Sequence, residues 1–300
     1  MMAEPMNPPL RGTLLLNEPM ARHTSWRVGG PADRCYKPAD LADLTQFLQQ
    51  LPIQEPVVFI GLGSNLLVRD RGVRGTVILT SGALQQLQLE ANGCVRAEAG
   101  VPCNKAARFC IRHGLVNAEF LAGIPGTLGG ALAMNAGAFG GETWNVVESV
   151  ETLDRQGTRR TRGRSEFHIA YRQVEVPAGE WFVAAHLRLP HGDAKTAAVR
   201  MKALLAKRNA AQPTQTANAG STFRNPPGEH AARLIEASGL KGYCIGGACV
   251  SDKHANFIVN TGSATAAEIE LLIAHLANTV KRIHGVELIQ EVHVIGEAGR

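Results

Sequence analysis

Short apolar runs separated by glycine turns dominate the first half of the chain. Val57-Val58-Phe59-Ile60, Leu66-Leu67-Val68 and Thr76-Val77-Ile78-Leu79 are each of strand length and too short for helices. Helical spacing of apolar positions predicts helices near 41–51 and 103–113, with Gly114 as the stop for the second. A more polar stretch follows over 154–166, and Pro190-His191-Gly192-Asp193 reads as a linker, where we place the domain boundary. Beyond it a long helix is expected over 196–211, halted at Pro213. The best-marked helix comes last. Thr265-Ala-Ala-Glu268 has capping-box form, and Ile269, Leu272, Ile273, Leu276, Val280 and Ile283 mark one face before Gly285 ends it. A strand over 286–295 is expected to close the fold. The pattern is α+β in two parts, with no internal repeat.

Three hundred residues suit roughly two domains at about 150 residues each. Lys and Arg number 31 against 26 Asp and Glu, a net +5 that suits an anionic small molecule without demanding a nucleic acid. Aromatic residues make up only 5%, which leaves few platforms for stacking bases. The 32 glycines instead offer many places for close backbone approach, which favours a phosphate-bearing ligand. Cys35, Cys94, Cys103, Cys110, Cys244 and Cys249 show neither C-x-x-C nor histidines at metal-ligand spacing, so reduced thiols and no metal site are expected. The start lacks the apolar stretch of a signal peptide, and no apolar run approaches the roughly 18 residues of a membrane span. A cytoplasmic protein with no membrane or nucleic-acid partner is expected.

Two glycine loops suggest a diphosphate site. Gly61-Leu-Gly63-Ser64-Asn65 follows an apolar strand, but Leu66 stands where a dinucleotide fingerprint needs its third glycine, and a strand follows where a helix should. A Rossmann domain is thereby disfavoured, although Gly63, Ser64 and Asn65 can still form a concave anion nest. The second loop, Gly123-Ile124-Pro125-Gly126-Thr127, leads into Ala131 to Gly137, and Thr127 can cap a short helix whose start attracts phosphate. It lacks the Gly-Lys-Ser/Thr of an ATP loop.

Several segments together carry a resemblance. His23-Thr-Ser-Trp-Arg-Val-Gly-Gly-Pro-Ala-Asp33, Gly61 to Val68, Gly123-Ile-Pro-Gly126 with Asn135-Ala-Gly137-Ala138, Ala219-Gly-Ser-Thr-Phe-Arg-Asn-Pro226 and Lys253-His-Ala-Asn-Phe-Ile-Val-Asn260 stand in this order. The chain resembles the UDP-N-acetylenolpyruvoylglucosamine reductases, the MurB family of bacterial cell-wall synthesis, from about Thr13 to Gly296. The resemblance implies an FAD-binding domain of the vanillyl-alcohol-oxidase (PCMH) type over 17–189, in two subdomains. A C-terminal α/β substrate-binding domain over 195–296 would follow. The short spacing from Arg172 to Ser221 is similar to the family's second type, which lacks the loop whose tyrosine covers the substrate.

The implied reaction reduces the enolpyruvyl ether of a UDP-sugar to UDP-N-acetylmuramate. NADPH reduces non-covalently bound FAD, hydride then passes to C3, and C2 is protonated. Arg172 matches the family's catalytic arginine, suited to grip a carboxylate as it takes enolate character. Ser221 matches the proton donor to C2. Glu291 matches the catalytic glutamate, placed by strand alternation on a face with Glu287, His293 and Ile295, where burial would raise its pKa. The resemblance also implies contacts from Gly61, Gly63, Ser64, Asn65, Leu66, Gly123, Ile124, Pro125, Gly126, Asn135 and Gly137 to FAD. Arg224, Asn225, Lys253, His254 and Asn256 would contact the sugar nucleotide.

Three rival readings are weighed against this one. Another flavin oxidoreductase of the same fold would not need the set Arg172, Ser221 and Glu291. Ser238-Gly-Leu-Lys241 fits the S-x-x-K of a serine acyl-enzyme, but neither S-D-N nor K-T-G accompanies it. A basic nucleic-acid module would need an aromatic RNA-binding motif that is absent from the sequence.

Overall fold

The apolar runs of the first half enter two separate sheets in a computed structural model that describes residues 9–298. Val57–Ile60 and Val73–Leu79 pair in parallel, with Phe59 opposite Ile78. Pro31–Lys37 flanks Val73–Leu79 in parallel, and Thr13–Pro19 forms the antiparallel edge. Helix α1 (Leu41–Gln50) starts where the Asp40 carboxylate accepts from the Asp43 amide. It buries Leu44, Phe47 and Leu48 against Tyr36 and Ile78.

A further, five-stranded sheet runs in the order 159–163, 147–154, 180–187, 95–98, 87–89, antiparallel throughout. Helices α2 (Cys103–Arg112) and α3 (Leu128–Ala133) contribute to a core with Trp144, Leu121 and Leu187 at its centre. Gly114 adopts φ 69° directly after α2, as its place in the sequence predicts. The polar stretch over 154–166 is a hairpin whose outer strand, Arg159–Gly163, is largely exposed.

The predicted linker ends as a helix cap. The Asp193 carboxylate accepts from the amides of Lys195 and Thr196 and so starts α4 (Ala194–Ala211). A four-stranded antiparallel sheet follows in the order 217–218, 258–260, 248–250, 244–245. Helices α5 (Ala231–Ala237) and α6 (Ala266–His284) pack with it. Helix α6 has both halves of its capping box, and Gly285 ends it at φ 68°.

Two features bind the halves together. Trp26, from the amino-terminal half, is fully buried in the carboxy-terminal core, and its indole N–H donates to the Ile258 carbonyl at 2.7 Å. His293–Ile295 leaves that core and pairs in parallel with Leu66–Val68. This crossing corrects the expected strand over 286–295. The ladder holds only for 293–295, while Gln290 makes a single bridge to Phe223 within the other half.

The cysteine expectation also needs correction. Cys35, Cys94, Cys103 and Cys110 are free and buried, but Cys244 and Cys249 are joined by a disulfide. The Gly246-Gly247 turn places the two directly opposite each other in the ladder, with Cα atoms 4.1 Å apart, a register that linear spacing does not reveal.

Candidate active site

Two adjoining cavities open where the lobes meet. One, of about 320 Å³, is walled by Val58, Phe59, Gly61, Gly63, Gly126 and His293. The other, of about 240 Å³, is lined by Gly123, Pro125, Arg172, Arg208, Ser221 and Glu291. Ser64, Asn65, Ile124 and Met134 belong to both walls. The two predicted glycine loops thus back onto one space. A Cβ on Gly61 would lie 2.3 Å from Thr127 Oγ1, and one on Gly126 would lie 3.1 Å from Ser64 Oγ. Close approach is why glycine stands at both positions.

Gly61, Gly63, Ser64, Asn65, Leu66, Gly123, Ile124, Pro125, Gly126 and Gly137 all lie on these walls. Asn135 does not. It is buried behind them at φ 44°, where its amide donates to Glu142 at 2.9 Å and to the Ala170 carbonyl at 3.2 Å, and accepts from the Trp144 amide. It acts as a strut between the second glycine loop and the hairpin that carries Arg172. Thr127 stands at the start of α3 as expected, but its hydroxyl makes no cap bond and is buried without a hydrogen-bond partner among the described residues. An orphaned hydroxyl on the wall of a largely apolar cavity is a ready donor to a phosphate oxygen.

Arg172 sits in the two-residue turn between His168–Ala170 and Gln173–Glu175, at φ 57°. A bulky residue in the left-handed region costs on the order of 1–3 kcal/mol and persists where neighbours enforce it. Here its guanidinium donates to the carbonyls of Asn135 (3.3 Å) and Gly137 (3.1 Å), and its Nε lies 3.2 Å from Glu291 Oε1. Arg224 donates to the Arg172 carbonyl at 3.1 Å, which fixes the same turn from the other lobe. Burial pushes the Glu291 carboxyl above its ordinary range, against the opposing pull of Arg172 and Arg224. The Asn65 amide holds the Glu291 carbonyl at 3.0 Å. Glu287, expected on the same face, points instead to solvent beside Lys281.

Ser221 follows Gly220, whose φ of 74° allows the sharp turn, and its hydroxyl carries no hydrogen bond among the described residues. Asn256, expected to meet the sugar nucleotide, is instead the clamp on this turn. Its side chain accepts from the Phe223 amide at 2.9 Å and donates to the Phe223 carbonyl at 2.8 Å, while its own carbonyl accepts from the Thr222 amide. Asn225 accepts from the Ala231 amide at the start of α5, and Lys253 donates to the Asn209 carbonyl at the end of α4. His254 packs edge-on to Phe257, with its Nδ1 buried and without a hydrogen-bond partner among the described residues. The S-x-x-K pair is separated: the Ser238 hydroxyl donates to the Leu234 carbonyl, and Lys241 pairs with Glu236.

Sequence reasoning missed Arg208. It lines the smaller cavity, its side chain donates to Gln212, and it has no carboxylate within ion-pair distance among the described residues. Burial lowers its pKa. An unpaired, half-buried guanidinium on a cavity wall is suited to an anion, yet nothing in Lys207-Arg208-Asn209 announces it locally. Phe139 was also missed. It sits at φ 54° on the rim, with its ring against Gly123.

Two family models match the chain. Residues 32–163 match an FAD binding domain, and residues 212–295 match the C-terminal domain of UDP-N-acetylenolpyruvoylglucosamine reductase. A reductase of that name from Alkalilimnicola ehrlichii is 62% identical over 281 residues, which cover 94% of each chain. The chain belongs to the UDP-N-acetylenolpyruvoylglucosamine reductase family. A second such reductase, from Methylococcus capsulatus, is 60% identical over 97% of this chain and 95% of its own. Among solved structures, UDP-N-acetylenolpyruvylglucosamine reductase (MurB) from Thermus caldophilus matches with a TM-score of 0.80 at 32% identity, over 95% of this chain and 98% of that one. The fold is that of an FAD-binding domain joined to the family's carboxy-terminal domain. No helix among the described residues is long and apolar enough to cross a membrane.

Proposed function

We propose that this protein reduces UDP-N-acetylenolpyruvoylglucosamine to UDP-N-acetylmuramate in the cytoplasm, for peptidoglycan synthesis, with FAD as cofactor and NADPH as electron donor. One observation carries the assignment of roles. The Arg172–Glu291 pair and the unbonded Ser221 hydroxyl converge on one cavity, which shares a wall with a second that suits a flavin nucleotide. The fit to FAD rests on the apolar walls, the tight glycine approaches and the orphaned Thr127 hydroxyl. Gly61, Gly63, Ser64, Thr127 and Gly126 would hold its diphosphate. When bound, FAD supplies the two-electron chemistry that links NADPH oxidation to reduction of the enolpyruvyl double bond.

The remaining work belongs to side chains. Arg172, fixed by three carbonyl and carboxylate partners, offers a permanently charged fork to the substrate carboxylate as negative charge builds there. Ser221 supplies a proton from Oγ to C2, which is strongly basic once C3 has gained hydride. Glu291, whose burial pushes its carboxyl above the ordinary range, can when protonated donate to the carboxylate or share a proton within the site. Arg208 faces the diphosphate of the sugar nucleotide, where its freedom from any carboxylate partner among the described residues becomes an asset.

The purified protein should be yellow, bleach anaerobically with NADPH, and recover its colour on addition of the enolpyruvyl UDP-sugar. Bleaching without recovery would overturn the substrate assignment, and a colourless protein that takes up no FAD would overturn the cofactor.

A further inference from the structure

The six cysteines divide into two chemical groups. Burial pushes Cys35, Cys103 and Cys110 up to about 12 and, helped by Glu148, pushes Cys94 to about 11. These thiols stay protonated and shielded, so they are poor partners for redox chemistry. Cys244 and Cys249 differ. Cys244 is exposed, Cys249 is half-buried, and the bond between them ties together the edge strand of the carboxy-terminal sheet. That edge strand is only Cys244–Ile245, paired through two residue couples.

We propose that Cys244 and Cys249 form a reversible thiol–disulfide exchange site on the substrate-binding lobe, whose redox state sets how firmly the neighbouring loop is held. The ring closed by this bond spans only 244–249. Chain-entropy arguments credit so short a loop with little stabilisation, so its removal leaves the lobe folded. Its local effect is larger. The hairpin turn rests on α6 through the Gly247 amide, which donates to Glu268. The strand containing Cys249 runs through Val250 and Ser251 into the loop that carries Asn256, the clamp on the Ser221 turn. Loosening the edge therefore reaches the serine through one strand and one loop.

The exchange partner is a low-molecular-weight thiol such as glutathione. Its thiolate attacks Sγ of the exposed Cys244, forming a mixed disulfide as the bond to Cys249 breaks, and the departing Cys249 thiolate takes up a proton. A second glutathione thiolate then attacks the mixed disulfide. This releases Cys244, which is protonated, and glutathione disulfide: the protein is reduced by two electrons and two glutathiones are oxidised.

The test uses the flavin-loaded protein, equilibrated with glutathione and its disulfide at graded ratios and then alkylated with a maleimide. We expect exactly two thiols to titrate together, at positions 244 and 249 by peptide mass spectrometry, with the other four unlabelled until denaturation. Amide exchange over 240–250 should accelerate on reduction, and reoxidation by saturating enolpyruvyl substrate should slow severalfold while flavin reduction by NADPH keeps its rate. Cys244→Ser should reproduce the reduced state and abolish sensitivity to glutathione. The proposal, which rests on the functional reading only for its kinetic arm, is overturned if both thiols label freely at every ratio. It is also overturned if exchange and the saturated rate of reoxidation are identical in the two redox states. The labelling and exchange readouts stand even if the substrate assignment fails.

Discussion

Replacing Asn256 by alanine tests whether this side chain positions the serine or meets the substrate. Asn256 is only 3% exposed, and its amide satisfies both the N–H and the C=O of Phe223. The alanine variant removes two hydrogen bonds and leaves two buried backbone groups unsatisfied, each costing about 1–3 kcal/mol. The backbone bond from Thr222 to the Asn256 carbonyl survives, so we expect a loss of about 2–4 kcal/mol in unfolding free energy, measured by urea denaturation. The turn that carries Ser221 shifts with Phe223. A misplacement of about 1 Å costs up to about 10²-fold in a step that depends on alignment. Stopped-flow reoxidation of reduced enzyme by the enolpyruvyl substrate should therefore slow at saturating substrate, while flavin reduction by NADPH is unchanged. An undiminished stability, with KM raised and the saturated rate intact, would refute the clamp and restore Asn256 as a substrate contact.

Ser221→Ala should leave flavin reduction intact and slow substrate-driven reoxidation by about 10² to 10⁴, the usual worth of positioned proton transfer; equal damage to both half-reactions would exclude the role. Arg208→Met should raise the KM for the UDP-sugar by tenfold or more, in line with about 1.5–3 kcal/mol for a charge-assisted bond. Its melting temperature should not fall, because a half-buried unpaired charge is removed. Glu291 has a raised folded pKa, so its contribution to stability is complete below the ordinary value of 4.5 and is lost as pH rises through the raised one. Glu291→Gln, neutral at every pH, should gain on the parent across that window in pH-dependent denaturation, and a flat difference would refute the assignment.

Elements with a local signature were legible in the sequence. Helix α6 announces both ends, and the glycine turns flanking residues 57–79 mark their strands by composition alone. What escaped notice depends on partners distant in sequence. Asn256 looks like a polar loop residue until Phe223 is folded beneath it, and Arg208 looks like one of several cations on an exposed helix until its end turns toward the cavity. The Cys244–Cys249 bond depends on hairpin register, which a Gly-Gly pair only hints at. The break in the final strand was hidden for the same reason, since alternation persists along 286–295 while the partner sheet changes.

The pairing of His293–Ile295 with Leu66–Val68 sets an order of events in biogenesis. His293 and Ile295 help to wall the larger cavity, yet they leave the ribosome more than two hundred residues after the strand they complete. A nascent chain can fold its leading sheets early, but its nucleotide pocket stays open on one side until residues 293–295 emerge. A chain cut before Glu291 would therefore lose one wall of its nucleotide pocket together with the carboxylate that meets Arg172.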